Sequence, residues 1–364
     1  MSAAAGVLGS RVRAVDIARA LAVIGVVFNH TVDGLVKAGI VSHGHPLYVV
    51  NTWLYVFRMP ALALLLGLFI PRAVEKRGYW AYLAQRASLM IYLYLLWTIL
   101  EGLTEVATSG VRNGSRSFGS LLAVWHPIAH LWFLPFLVAA TALVAAARPW
   151  ITRPVPVVAS VVLIAYTVLA WGWNPNIVGV RGLSLVGFVV IGSAIGAGRM
   201  GRLMTAKVAY WLPVGGVSAA AFVLLLPLSP VAATLSSDAP VWTRLVSVVA
   251  AALGTCVLLT VAVVLAKARS GVGWLADIGR KTLPIYLAHV ICAAGARVAL
   301  QHLGVGDPLV HGSVCLVVGV GLPLLAATVA PRLHVAWLFD LPRVVKDRLP
   351  GARRRPALVP SSVA

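Results

Sequence analysis

The sequence predicts an all-α protein, a polytopic membrane helix bundle of about ten transmembrane helices with both termini in the cytoplasm. Of its 364 residues, 60% are hydrophobic and only 11% are charged, whereas about a quarter of the residues of a soluble protein are charged. Apolar stretches of about 20 residues, the length that crosses a bilayer core, recur along the whole chain. This composition excludes a disordered chain, a collagen-like fibre and an ordinary soluble enzyme.

Each predicted helix is an apolar stretch bounded by loop residues. Pro71 ends the second stretch, and Asn174-Pro175-Asn176 forms a turn between the fifth and sixth. The spans use most of the chain and leave no room for a soluble catalytic domain. We therefore predict one membrane domain over 1–335 and a basic, partly disordered cytoplasmic tail over 336–364. The ten predicted spans are 15–36, 50–70, 85–105, 129–147, 155–173, 180–198, 208–227, 242–266, 283–303 and 310–330.

The distribution of positive charge predicts the orientation of the bundle. The chain has 30 Lys and Arg against 10 Asp and Glu, a formal net charge of +20. In a soluble protein this excess would suggest nucleic-acid binding. Here most of the cations lie in alternate short loops, as expected if they set topology, so we predict no nucleic-acid partner and a cytoplasmic N-terminus. The exceptions are Lys37, Arg58, Arg112, Arg116, Arg181, Arg244 and Arg297.

The first span contains ionisable groups at two levels. Charged side chains within a membrane are costly unless they face a cavity, so each is a candidate for function. The eleven-residue step from Arg19 to His30 is close to three helical turns, which places both on one face about 16 Å apart. Asp16 and Asp33 lie three residues from Arg19 and His30, on the same face.

Other spans add polar groups at both levels, as expected for a ligand that enters from one side and reacts toward the other. Arg58, Glu101 and His130 belong to the outer level, and Arg86, Tyr286 and His289 belong to the inner level. Structural interpretations remain open beside this functional one. They are an Asp16–Arg19 pair at the lipid headgroups, a buried Arg58–Glu101 pair that joins helices, an interfacial His130 and a packing role for His289.

Three stretches carry a resemblance to acyltransferase family 3, bacterial membrane enzymes that O-acylate envelope glycans, lipids and secondary metabolites. The first is Arg19-Ala-Leu-Ala-Val-Ile-Gly-Val-Val-Phe-Asn-His30, similar to the family's Arg-x10-His. The others are His130-Leu-Trp132-Phe-Leu and the stretch from Ile278 through Tyr286 to His289. A fourth stretch, Phe57-Arg58-Met59-Pro60 through Leu66-Gly67, departs from the family pattern, because Arg58 replaces a His and Leu66 a Ser.

The resemblance implies an acyl-CoA donor, usually acetyl-CoA, that enters from the cytoplasm, and an acceptor hydroxyl on a glycan, glycolipid or small molecule. It implies no permanently bound cofactor and no metal, and it places the protein among the lipids of a bacterial plasma membrane. His30 would act as general base or carry the acyl group covalently, and both possibilities stay open. Asp33 would orient its ring, and Arg19 and Arg86 would bind the CoA. The remaining candidate site residues are Asp16, Arg58, Glu101, His130, Trp132, Tyr286 and His289.

Three other functions remain alternatives at this stage. A transporter or flippase of a polar lipid or glycan would use the same intramembrane charges without chemistry, although the chain has no evident internal repeat. Another membrane O-acyltransferase superfamily also uses an embedded histidine, but the Arg beside His30 in the first span fits family 3 better. The third is a non-catalytic subunit. The sequence does not identify the acceptor, the acyl length, the side on which the acceptor is modified or the oligomeric state.

Overall fold

The computed structural model describes residues 2–107, 123–128, 130–268 and 271–350, with side chains from residue 13 onward. Within these ranges the chain forms α-helices and short 3-10 turns, and no strand. The helices are α1 (Ser2–Lys37), α2 (Pro46–Gly67), α3 (Ile70–Arg77), α4 (Tyr79–Ala107), α5 (Phe133–Ala147), α6 (Pro154–Leu169), α7 (Val186–Met204), α8 (Val208–Leu225), α9 (Val241–Lys267), α10 (Gly273–Arg280), α11 (Thr282–His302), α12 (Pro308–Val329) and α13 (Arg343–Lys346).

The described residues contain 8 helical segments that are long and apolar enough to cross a membrane, which confirms a multi-pass helical membrane protein. These eight segments are formed by α1, by α2 together with α3, and by α4, α7, α8, α9, α11 and α12. The predicted spans 129–147 and 155–173 are shorter helices, α5 with 15 residues and α6 with 16. Each covers about 22–24 Å, less than the hydrocarbon thickness of about 30 Å. Ten spans and cytoplasmic termini therefore stay predictions.

Turns shorten α5 and α6. Before α5, the amide of Phe133 donates to the carbonyl of His130 (3.2 Å), and after α6 the amide of Trp173 donates to the carbonyl of Ala170 (2.9 Å). Both bonds close turns rather than extend a helix. The periodic apolar pattern continues through these turns, which is why the sequence predicted longer spans.

Helix α1 is the central helix of the bundle. In the most apolar 18-residue stretch of α1, 67% of the stretch is buried inside the protein, whereas the corresponding value for α8 is 17%. It contacts α2, α7, α9, α10, α11 and α12. Small side chains such as Ala14, Ala18 and Ala22, each nearly inaccessible, allow this close packing on several sides. Three polar residues of α1, Asp16, Asn29 and Thr31, therefore lie buried in the interior of the protein.

Helices α2 and α7 cross at very close range. A Cβ added to Gly67 would collide with the carbonyl of Val189, and one added to Gly192 would collide with the carbonyl of Leu64. Gly196, four residues after Gly192, has a positive φ of 69° and kinks α7. The amide of Ala197 just beyond it donates to the carbonyl of Leu68 (2.8 Å).

Residues 337–350 lie along α4, a placement that the sequence did not predict. The indole nitrogen of Trp97 donates to the carbonyl of Leu338 (2.7 Å). At the other end of the segment, the Gln85 amide donates to the carbonyl of Pro350 (2.6 Å). Residues 351–364 of the predicted tail lie outside the described residues.

Candidate active site

Three histidines from distant parts of the chain form a cluster in the bundle. His30 comes from α1, His130 from the turn before α5, and His289 from α11. The ring centroids are 5.1 Å apart for His30 and His289, 5.6 Å for His30 and His130, and 4.6 Å for His130 and His289. Both His130 and His289 are buried. We call this set the histidine cluster.

The surroundings of His289 fix its tautomer. Its Nδ1 atom lies 3.0 Å from the carbonyl of Ile285 and 2.8 Å from that of Tyr286. Because carbonyl oxygens only accept hydrogen bonds, Nδ1 carries the proton and Nε2 of the neutral ring has a free lone pair. This Nε2 is buried without a hydrogen-bond partner in the described part of the chain. The ring can therefore accept a proton or a hydrogen bond at Nε2.

His130 lies between an acid and a phenol. Its Nε2 is 3.4 Å from Oε1 of Glu101, and both side chains are almost fully buried. The hydroxyl of Tyr286 donates to the backbone carbonyl of His130. Tyr286 therefore ties α11 to the turn before α5 and holds His130 beside His289.

A hydrogen-bonded chain of polar side chains leads from Arg58 to Asp33. Arg58 Nη1 donates to Asn51 (3.4 Å), Asn51 donates to Asn29 (3.1 Å), and Asn29 donates to Asp33 (3.0 Å). The guanidinium of Arg58 also lies 3.8 Å from the centre of the Tyr55 ring. Asn29 and Asp33 flank His30 on α1. These side-chain hydrogen bonds therefore hold the polar face of α1 in place beside the histidine cluster.

Arg19 is held near the opposite end of α1 by groups from two helices. Its Nη2 donates to the hydroxyl of Thr282 at the start of α11 (3.3 Å), and its Nη1 lies 3.8 Å from Asp16. Asp16 is also 3.8 Å from Arg280 of α10. Gly279 makes this approach possible, because an added Cβ there would collide with the backbone carbonyl of Asp16.

Two cavities approach the histidine cluster from opposite sides. The Arg19 cavity, about 310 Å³, is lined by Arg19, Arg86, Tyr286 and mostly apolar side chains. The His30 cavity, about 330 Å³, is lined by His30, Asp33, Arg58, Trp132 and other polar side chains.

The two cavities end about one helical turn apart on three helices. On α1 the Arg19 cavity reaches Val23 and the His30 cavity reaches Val26. The corresponding pairs are Leu62 and Met59 on α2, and Tyr286 and Val290 on α11. Three residues of helix rise about 4.5 Å, so about a single layer of side chains separates the two cavities.

Trp132 closes the side of the His30 cavity. Its ring packs directly on Gly182, whose φ of +81° and lack of a Cβ make room for it. The guanidinium of Arg181 lies 5.8 Å from the same ring, and its Nη1 donates to Asn176 (2.9 Å). Burial lowers the pKa of Arg181 below its ordinary value, with Tyr55 and Tyr286 acting in the opposite direction.

The structure brings many of the sequence-predicted site residues together, but it places His289 beside His30 and His130 rather than at the inner level where it was predicted. Arg19, Arg86 and Tyr286 line one cavity, and His30, Asp33 and Arg58 line the other. Glu101 lies against His130, whereas Arg58 contacts Asn51 and Tyr55, so the alternative Arg58–Glu101 pair does not form. No hydrogen bond joins Asp33 to His30 among the described residues, since Asp33 accepts from Asn29.

Several residues of the site were not among the candidates from sequence. Asn51 and Thr282 are neutral and left no charge signal. Arg297 lies inside α11 and is buried, so the cost of intramembrane charge could have identified it. Arg181 belongs to a turn, where an arginine has no such signal.

A helical membrane bundle with buried histidines and arginines around two opposed cavities defines the class of an intramembrane enzyme. The family model for the acyltransferase domain of family 3 matches residues 12–328. The chain therefore belongs to acyltransferase family 3 and is an acyltransferase of the membrane. No curated protein and no solved structure matches it.

Proposed function

We propose that the protein transfers an acyl group, which we infer to be acetyl, from acyl-CoA to a hydroxyl of an envelope glycan, glycolipid or related metabolite at the bacterial plasma membrane. One observation carries this proposal: two cavities end about a helical turn apart at the histidine cluster. Such an arrangement suits two substrates that arrive from opposite sides and react at one point.

The Arg19 cavity suits the donor. Its apolar walls fit a pantetheine arm, and the guanidinium groups of Arg19 and Arg86 can bind CoA phosphates by charge-assisted hydrogen bonds. Tyr82 and Arg86 also line a third cavity of about 720 Å³ between α4 and residues 340–349. Lys76 and Arg77 line this third cavity, and Lys346 there is paired with Asp340, so we propose that Lys76 and Arg77 bind the nucleotide end of CoA.

The His30 cavity suits the acceptor, and His30 is the member of the histidine cluster that lines it. In our proposal a ring nitrogen of His30 takes the proton of the acceptor hydroxyl as its oxygen attacks the thioester carbonyl. The tetrahedral intermediate then collapses, the C–S bond breaks, and the imidazolium returns the proton to the CoA thiolate. The products are an ester and free CoA.

His130 and His289 support His30 in this proposal. The lone pair on Nε2 of His289 can accept a hydrogen bond from the His30 ring and so orient it. Glu101 can stabilise a positive charge that spreads over the cluster during proton transfer, since its carboxylate lies beside His130. A covalent acyl-histidine intermediate would use the same geometry, with His30 as nucleophile.

The proposal is tested with radiolabelled acetyl-CoA added to native membranes that contain the protein. We expect label to enter a membrane or glycan product in the wild type and not in a strain that lacks the protein. A transporter would leave no acylated product, and that outcome would contradict the proposal. Label found on the protein itself, in the absence of acceptor, would identify the covalent route.

A further inference from the structure

The His30 cavity has a large excess of positive charge. Its lining contains a single carboxylate, Asp33, among the described residues. The lining cations are Lys37, Arg58, Arg181 and Arg297. The guanidinium of Arg58 is buried within α2, where a charge is expensive unless an anion or water compensates it. A neutral sugar alone in this cavity would leave this positive charge uncompensated.

The rest of the chain cannot supply the missing carboxylates. All 10 Asp and Glu residues lie at positions whose side chains the structure describes, and the remaining segments contain none. The other acidic residues near this end of the bundle lie outside the cavity lining. Glu101 lies against His130, and Asp307 caps the N-terminus of α12. Glu105 and Asp238 do not line the cavity.

Two of the cavity arginines are oriented by neutral partners. Arg58 donates to Asn51 and stacks on Tyr55, and Arg181 donates to Asn176 and lies over Trp132. Amide and aromatic partners orient a guanidinium without neutralising its charge. An arginine at such a site keeps its charge and can form bidentate bonds with an oxyanion.

We propose that the acceptor carries an oxyanion, a phosphate or a carboxylate, close to the hydroxyl that is acylated. Its anionic group would bind between Arg58 and Arg181, which would bring the hydroxyl to His30. This inference rests on the proposed function, since it assigns the His30 cavity to the acceptor. A phosphate of a lipid or glycan and a carboxylate of an acidic sugar share this chemistry.

The charge of the natural product tests the inference directly. Native membranes are incubated with radiolabelled acetyl-CoA, and the labelled product is applied to an anion-exchange resin at neutral pH and low salt. We expect the product to be retained and to elute with salt. A labelled product that passes through as a neutral molecule overturns the inference and leaves the acyltransferase proposal intact. No labelled product at all would overturn both.

Two further steps distinguish the sources of the anion. Partition between chloroform and water separates a lipid product from a glycan product. Treatment with aqueous hydrogen fluoride, which cleaves phosphate esters, removes the retention of a phosphate-bearing product and leaves that of a carboxylate.

Variants of the cavity arginines test which residues bind the anion. We expect Arg58→Gln and Arg181→Gln each to lower the transfer rate at limiting acceptor about tenfold, as for loss of a charge-assisted hydrogen bond. Arg58→Lys, which keeps the charge, should retain more activity than Arg58→Gln. Arg244→Gln is the matched control, because Arg244 contacts backbone carbonyls of Ala239 and Leu169 away from this cavity. Rates for both cavity variants equal to that control would contradict the binding site.

Discussion

Arg19 illustrates how a single residue serves both packing and binding. It joins α1 to α11 through Thr282, and the same guanidinium lines the Arg19 cavity. An arginine used only for packing would not need to face an open cavity. We therefore propose that Arg19 binds the donor.

Replacement of Arg19 should affect the donor selectively. We expect Arg19→Gln to raise the KM for acetyl-CoA about tenfold or more, because a charge-assisted bond to a CoA phosphate is lost, while kcat changes less. Initial rates over a range of acetyl-CoA concentrations measure this. Arg280→Gln is the control, since Arg280 also faces Asp16 but does not line the cavity. An unchanged KM in Arg19→Gln would remove Arg19 from donor binding.

For individual residues, the sequence predicted those positions that depend on one helix alone. The helical period alone placed Arg19 and His30 on one face of α1, and the cost of buried charge identified both. The helical period contains no information about which other helices pack against that helix. The hydrogen bond from Asn51 of α2 to Asn29 of α1 and the contact between Glu101 and His130 depend on how separate helices pack, so neither could be predicted.

Among the elements, the short helix α10 has a defined part in the site. It places Arg280 beside Asp16 and leads into α11, which carries Thr282, Tyr286 and His289. Neither α10 nor α3 was predicted from the sequence, because the charged residues within them are typical of loops between spans. Both are helices of 8 residues beside long apolar ones.

A methyl group at Gly279 should disturb the junction of α1 and α10. We expect Gly279→Ala to destabilise the protein by about 1–3 kcal/mol, since the new Cβ collides with the carbonyl of Asp16 and the helices must separate. Thermal unfolding in detergent measures the change, and the KM for acetyl-CoA should rise with it because Arg19 loses Thr282. Gly273→Ala in the same helix is the control, as nothing lies within 4 Å of its Cβ position. Equal melting temperatures for the two variants would contradict this packing.

The third cavity links α3 and α4 with the C-terminal segment. If it receives the nucleotide of CoA, Lys76→Gln and Arg77→Gln should raise the KM for acetyl-CoA several-fold, because each removes a cation from the cavity lining. The KM for S-acetylpantetheine, which has no nucleotide, should not change. Arg72→Gln on the same helix serves as control, since Arg72 does not line the cavity. Equal effects on both donors would exclude this site for the nucleotide.

On the scale of the whole molecule, the position of α5 and α6 decides between eight and ten spans. These helices follow one another, so the orientation of every later helix is the same in both arrangements. Only the turn between them changes sides. Positive charge at Arg148 and Arg153 favours a cytoplasmic turn, and hence ten spans.

Chemical labelling of this turn tests the topology. In a protein whose native cysteines Cys256, Cys292 and Cys315 are replaced, we expect Thr152→Cys to react with a membrane-impermeant maleimide only in inside-out vesicles. Ser236→Cys, between α8 and α9, should react only from the outside in either arrangement. Labelling of Thr152→Cys from the outside would show that α5 and α6 do not cross the membrane.

The sequence predicted the class of architecture but not the contacts between its parts. Composition and hydropathy predicted a multi-pass helical bundle, because only lipid accommodates so much apolar surface. The contact of residues 337–350 with α4 was not predictable, since it rests on backbone carbonyls that carry no sequence signal.

The central prediction is that acyl transfer occurs at His30, in the cavity that ends about one helical turn from the Arg19 cavity. The most direct measurement is the initial rate of label transfer from acetyl-CoA by purified His30→Ala and His30→Gln proteins in lipid vesicles with the extracted acceptor. We predict a rate at least about a hundredfold below wild type, the usual contribution of a general base. His311→Ala, which removes another buried histidine outside the cluster, should keep a rate near wild type. Folded His30 variants that transfer label as fast as His311→Ala would contradict the account.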